Sequence, residues 1–257
     1  MASTSETGHN KNVANFEDLI SFCVGYGVTY NPSKNSLKIP QLQTLHTNAK
    51  NVIASVDTTS IAFNNASNAR IITFDGFHKF STRVLNALEA TSATKETIKD
   101  AVTINRKIQG TRAEKLKVVF GGKEANKVVD PNNPPVVIPE SKQISVSQLS
   151  YDSLIEHFSK MITLLTTEPS YTPNENDLKI AALNTKLTGF KTANTNVINA
   201  YTTVSNSRIS RDKTLYDELN GLCAVSKDVK AYVKSVFGAT SPEYKEISGI
   251  PCKVIKK

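Results

Sequence analysis

One stretch of the chain occurs twice. Tyr30-Asn-Pro-Ser-Lys-Asn-Ser-Leu-Lys-Ile-Pro-Gln-Leu-Gln-Thr44 aligns without a gap on Tyr171-Thr-Pro-Asn-Glu-Asn-Asp-Leu-Lys-Ile-Ala-Ala-Leu-Asn-Thr185, with eight of fifteen positions identical. Unrelated segments of this length would share about one. Ser67-Asn-Ala-Arg-Ile71 matches Ser205-Asn-Ser-Arg-Ile209 after a three-residue adjustment, and Phe16-x-x-Leu19-Ile20 matches Phe158-x-x-Met161-Ile162. Ile-x-Gly closes both stretches, at Ile108 to Gly110 and at Ile247 to Gly249. A chain of this kind is expected to fold as two related halves with pseudo-two-fold symmetry. The predicted organisation is a flexible N-terminal segment (1–13), helical repeat 1 (14–110), a linker (111–147), helical repeat 2 (148–249) and a basic C-terminal tail (250–257).

The linker rests on composition. Thr111 to Ser145 holds Pro131, Pro134, Pro135 and Pro139 with Gly121-Gly122, and Asp130-Pro-Asn-Asn-Pro-Pro is incompatible with a helix. The runs Val118-Val119-Phe120 and Val136-Val137-Ile138 leave two readings open, extended arms on a linker or a β-hairpin.

Each half has a helical period. Apolar residues three and four apart run through Leu42, Leu45, Ala49, Val52, Val56, Phe63 and Ala66, and again through Leu183, Leu187, Phe190, Val197, Tyr201 and Val204. A narrow seam near period 3.5 predicts long helices packed side by side. The first is expected over about 40–77, roughly 55 Å at about 1.5 Å per residue, ending near Gly76; the second breaks at Asn220-Gly221. Shorter helices are predicted at Phe16–Val28, Thr82–Ala90, Ala93–Ile108, Tyr151–Thr167 and Leu222–Phe237, with starts signalled by Ser92 and by Ser241-Pro242-Glu243. The fold class is therefore all-α, an elongated helical bundle.

No stretch approaches 18 apolar residues, so no transmembrane helix is expected. Met1 to Asn12 has neither a basic n-region nor an apolar h-region, so no cleaved signal is expected and a cytoplasmic setting is the default, with signal-independent export as the other. Cys23, Cys223 and Cys252 are odd in number and far apart, which predicts neither a disulfide framework nor a zinc site; Cys23 and Cys223 read as small buried hydrophobes. The net charge of +8 is spread along the chain without a Lys/Arg block, which argues for solubility rather than specific nucleic-acid binding.

The sequence holds no arrangement that signals catalysis. His9, His46, His78 and His157 lack partners at metal-ligand spacing, and phosphate loops, nucleophile elbows and paired carboxylates are missing. No enzyme activity, metal or cofactor is expected. The candidate contact residues are the repeated Tyr30/Pro32 and Tyr171/Pro173 and the repeated Asn68/Arg70 and Asn206/Arg208. For the arginines the two readings are a twice-made anion or partner contact, or pairing within the helix interface; for the tyrosines, a ring packed over the next helix or a stacking platform.

Ser, Thr and Asn together number 73, about 28% of the chain. Asn48, Asn51, Asn64, Asn65, Asn194, Asn196 and Asn199 fall on the long predicted helices, where amides are mediocre helix formers. Two readings stay open: faces suited to hydrogen-bonded contact with another protein at low desolvation cost, or compositional drift of one lineage.

Tyr-x-Pro-x-x-x-x-Leu-Lys-Ile, Ser-Asn-Ala/Ser-Arg and Val236-Phe-Gly-Ala-Thr-Ser-Pro-Glu-Tyr-Lys245 resemble residues of a group of uncharacterised bacterial all-helical proteins with an internal duplication. The resemblance covers most of both halves and not the linker, and it implies no activity, cofactor or catalytic residue. In architecture the chain is also similar to long-helix pore-forming cytolysins, which would assign Val118–Phe120 and Val136–Ile138 as the apolar tongue. The leading expectation is a non-enzymatic, self-assembling structural or scaffold protein whose partner is itself or another protein. The alternatives are a membrane-active helical toxin or effector in contact with a membrane surface, and a nucleic-acid-associated protein.

Overall fold

The computed structural model describes residues 8–111 and 149–255. Among them the regular structure is α-helix and two short 3-10 turns. The helices are α1 (His9–Gly25), α2 (Ile39–Phe74), α3 (Phe77–Glu89), α4 (Lys95–Gln109), α5 (Tyr151–Thr167), α6 (Ile180–Tyr216), α7 (Leu222–Phe237) and α8 (Pro242–Ser248). The protein is all-α. No described helix is long and apolar enough to cross a membrane. The segment read as a linker or hairpin, with Val118–Phe120 and Val136–Ile138, lies outside the described residues.

The helix ends follow local chemistry. Thr94, Ser150 and Ser241 cap α4, α5 and α8, each side-chain oxygen accepting a backbone N–H three residues on. The cap of α4 is thus Thr94 rather than Ser92. Gly76 turns the chain between α2 and α3 with φ 68°, a left-handed conformation that costs glycine little. After α6, the Asp217 carboxylate accepts from the N–H groups of Leu219 (3.1 Å) and Asn220 (2.8 Å). Gly221 then passes so close to Asp217 that a Cβ would sit 2.4 Å from its backbone nitrogen. Only glycine lets the chain reverse there.

The chain forms two compact units, and they cut across the sequence halves. One comprises the described residues of Met1–Ala69 with Thr195–Lys257; the other is Arg70–Asn194. The two long helices contribute to both. The core of the first unit joins Phe16, Leu19, Leu42 and Ala49 to Leu215, Leu222, Val229 and Val233. The core of the second joins Phe74, Phe77, Leu88 and Ile108 to Phe158, Met161, Leu165, Leu183 and Phe190. Its centre is aromatic, with Phe74 stacked on Phe190 at 4.2 Å and Phe77 edge-on to Phe158 at 5.1 Å. The units therefore do not coincide with 14–110 and 148–249. The cause is antiparallel pairing of α2 with α6, which sets the start of one half beside the end of the other.

Three further differences share one region of the first unit. Cys223 and Cys252, 29 residues apart, form a disulfide with Cα atoms 5.3 Å apart, while Cys23 remains a buried free thiol. The reading of the cysteines as unpaired is therefore corrected: α8 reverses the chain and returns Cys252 to the first turn of α7. The N-terminal segment is helical from His9, because Asn12 and Val13 are already buried. Within the segment read as a basic C-terminal tail, Ile250 to Lys253 are pinned. The Asn12 side chain donates to the Lys253 carbonyl (2.7 Å) and accepts from its N–H (3.0 Å), and the Asn15 amide donates to the Pro251 carbonyl (2.7 Å). Lys230 reaches the carbonyls of Ser248 (3.4 Å) and Ile250.

Candidate contact site

The two Tyr-x-Pro segments adopt the same local clasp. Tyr30 donates its hydroxyl to the Leu37 carbonyl at 2.8 Å, and Tyr171 donates to the Leu178 carbonyl at 3.0 Å. Both rings are buried, Pro32 is buried and Pro173 half-buried. Burial pushes the Tyr171 phenol up to about 12 and moves Tyr30 well above its ordinary range, with Cys23 adding to the latter. Tyr30 also meets the edge of Tyr232 at 5.3 Å, whose hydroxyl accepts from the Asn31 N–H. These side chains lock the entry to the next helix and leave no open ring face for a ligand.

The two Asn-x-Arg motifs do not share an arrangement. In the second unit, the Arg70 guanidinium donates to the Asn194 side-chain oxygen at 2.8 Å and lies 4.0 Å over the Tyr151 ring. The buried Asn194 donates in turn to Asp152 at 2.7 Å. Asn68, Asn206 and Arg208 are exposed. A repeated motif thus yields one interior network and one solvent-facing arginine.

Several buried polar groups escaped the sequence reading. His157 is only 4% exposed, and neither of its ring nitrogens has a hydrogen-bond partner. Burial lowers its pKa, and the Lys107 charge adds to that. The side-chain oxygen of buried Asn105 is likewise unpaired. Arg211, 9% exposed, is held by Asp212 at 2.7 and 2.9 Å. Burial also raises the free Cys23 thiol to about 11, which keeps it protonated and unreactive at neutral pH.

Cavities offer little enclosure. A shallow groove of about 580 Å³ in the second unit is lined by Arg83, Asn86, Thr91, Ser170, Asn174 and Glu175. Among the described residues no three His, Cys, Asp or Glu side chains are grouped to hold a metal ion.

The exposed surface of the long helices is more distinctive. In the first unit α2 and α6 run antiparallel, with Phe63 beside Tyr201 at 5.8 Å and the Ser55 and Ser207 hydroxyls 3.5 Å apart. Val56, Val197 and Val204 are buried on these helices. On these two helices Ile61, Ile198, Tyr201 and Ile209 are 61%, 54%, 60% and 62% exposed. Tyr201 was expected inside the seam and instead stands largely in solvent. Of the seven asparagines singled out on these helices, Asn194 is buried and the others are exposed. Comparison of the chain with protein-family models, curated proteins and solved structures finds no match.

Proposed function

We propose that this chain is a non-enzymatic helical protein that works through protein–protein contacts, most concretely as a self-assembling structural or scaffold component. The observation that carries the reading is the exposure of Ile61, Ile198, Tyr201 and Ile209 on one antiparallel helix pair of the first unit. Single exposed apolar residues are ordinary, but several on one helix pair are a mark of contact. The amide- and hydroxyl-rich composition supports it, because such groups desolvate more cheaply than charges. The shared Tyr30–Leu37 and Tyr171–Leu178 clasps support reading the two halves as a duplication. The Cys223–Cys252 bond supports an oxidising working environment.

Analytical ultracentrifugation combined with negative-stain electron microscopy tests the proposal. Concentration-dependent growth into dimers, rings or filaments is the expected result. A single monomeric species across roughly 1 μM to 1 mM overturns self-assembly, since that range covers dissociation constants from the tight to the barely useful.

A further inference from the structure

The buried stripe of α5 is apolar except at one position. Leu154, His157, Phe158, Met161, Ile162 and Leu165 follow one another at helical spacing, and all are buried. The buried residues of α4 are Ala101, Asn105 and Ile108, again with one polar side chain among them. The two helices pack on each other within the core of the second unit. At Gly110 a Cβ would lie 2.8 Å from the Leu149 side chain, so the end of α4 sits against the chain that enters α5.

This apolar contact holds groups with nothing to bond. The Asn105 side-chain oxygen and both ring nitrogens of His157 are buried without a hydrogen-bond partner. An imidazole so placed costs stability, where a leucine would fill the stripe without that cost. What the imidazole adds is the capacity to take up a proton near neutral pH. Burial opposes that uptake. So do the charges of Lys107 from α4 and Lys160 from α5, while Glu156 on α5 favours it. Glu156 is exposed and is already paired with Lys160 at 2.5 Å. An imidazolium at this position would hold two N–H donors without acceptors in an apolar contact, beside an ammonium.

We propose that the α4–α5 contact of the second unit is an acid-sensitive latch, closed while His157 is neutral and opened by its protonation. The inference goes beyond the self-assembly reading and does not depend on it. Opening moves the ring into water, where the imidazolium is hydrated and both N–H groups find acceptors. The buried ring binds its proton less tightly than the same ring in solvent. Acid therefore favours the open form, from about pH 6.5 downward. Opening uncovers apolar surface, Ala101 and Ile108 on α4 among it. None of the other histidines is buried. His78 is exposed, His9 bonds the Tyr216 hydroxyl at 2.7 Å, and His46 lies 3.6 Å from the Glu17 carboxylate, which would balance its charge. The first unit thus lacks a buried, unpaired imidazole and serves as the internal control.

Hydrogen exchange of the full-length oxidised protein, resolved by peptide and corrected for the intrinsic pH dependence of amide exchange, tests the latch at about pH 7.5 and about pH 5. The expected result is opening of α4 and α5 favoured about fivefold or more at the lower pH, with α1 and α7 unchanged. An apolar reporter dye should bind the acid form more strongly. His157→Leu and His157→Gln, neither of which titrates, are expected to lose both responses while keeping the helical circular dichroism. If one variant fails to fold, the other carries the comparison. A pH effect that persists in the folded variant overturns the latch, because another group is then titrating. Equal acceleration in both units overturns it as well, since acid would be acting on the chain as a whole. Wild-type α4 and α5 that exchange alike at the two pH values overturn it outright.

Discussion

Loss of the Cys223–Cys252 bond, by reduction or by Cys252→Ser, is expected to destabilise the first unit and to loosen its N-terminal helix. The bond closes a loop of sequence separation 29, for which the loop-entropy relation gives about 3.6 kcal/mol of stabilisation at 25 °C. A local effect accompanies it. Ile250 to Lys253 is held as an extended strap against α1 by three hydrogen bonds, two to Asn12 and one to Asn15, both buried side chains. Once Cys252 is no longer tied to α7, those bonds and the Lys230 contact to the Ile250 carbonyl hold the strap, and a neutral hydrogen bond contributes only about 1 kcal/mol net. Opening of the strap then exposes Asn12 and Asn15 and uncovers one side of α1. Native-state hydrogen exchange reads both effects. Amides of α1 and α7 that exchange through opening of the unit are expected to accelerate about 400-fold on loss of the bond, the factor corresponding to about 3.6 kcal/mol. The α1 amides nearest the strap gain a further increase. Unchanged protection of α1 and α7 in the reduced protein and in Cys252→Ser would refute the reasoning, because neither the cross-link nor the strap would then hold the unit together.

Two other perturbations follow from buried polar groups. The folded pKa of His157 lies below its ordinary value of 6.5, so on acidification the unfolded chain takes up a proton before the folded one does. Its contribution to stability is fully present above about pH 6.5 and is lost as pH falls through that value toward the lower folded pKa; the nearby charges of Lys107 and Lys160 oppose protonation and Glu156 favours it. Denaturant titrations at neutral and mildly acidic pH should show wild type losing more stability than His157→Leu, and parallel losses would clear the histidine of this role. Tyr171→Phe removes the hydroxyl that satisfies the Leu178 carbonyl at a buried turn and is expected to cost about 1–2 kcal/mol. Tyr30→Phe at the equivalent clasp should cost a similar amount; thermal unfolding of the two variants compares them directly, and no loss in either would mean that the carbonyls find water instead.

The periodic part of the fold was legible in the sequence. The apolar spacing set α2 to within a few residues of its observed ends, Ile39–Phe74, and gave both ends of α5 and α7. Period fails where packing is one-sided. Val197 and Val204 lie seven residues apart and are buried, but Tyr201 between them lies tilted beside Phe63 and is 60% exposed. A two-helix section offers one hole for two candidate knobs, and residue spacing does not say which is taken. The disulfide and the strap were invisible for a different reason. Asn12 and Lys253 are 241 residues apart, and no local pattern pairs them.

The Asn-x-Arg repeat was legible as a motif, but its two arginines do not make the same contacts, and the alignment of the two halves explains why. The offset that superposes Arg70 on Arg208 places Val56 where the second half has Asn194. The match of Phe16 to Phe158 sets His9 and Asn10 where the second half has Tyr151 and Asp152. Arg70 therefore finds an amide acceptor, an aromatic face and, through Asn194, a carboxylate. The positions that would serve Arg208 in the same way carry a valine in place of the amide and an imidazole in place of the phenol ring, and Arg208 is exposed. A guanidinium can be taken out of water only where fixed acceptors replace its hydration. The sequence has the donor in both stretches and the acceptors beside only one, so a repeated residue marks a repeated site only when its partners are repeated with it.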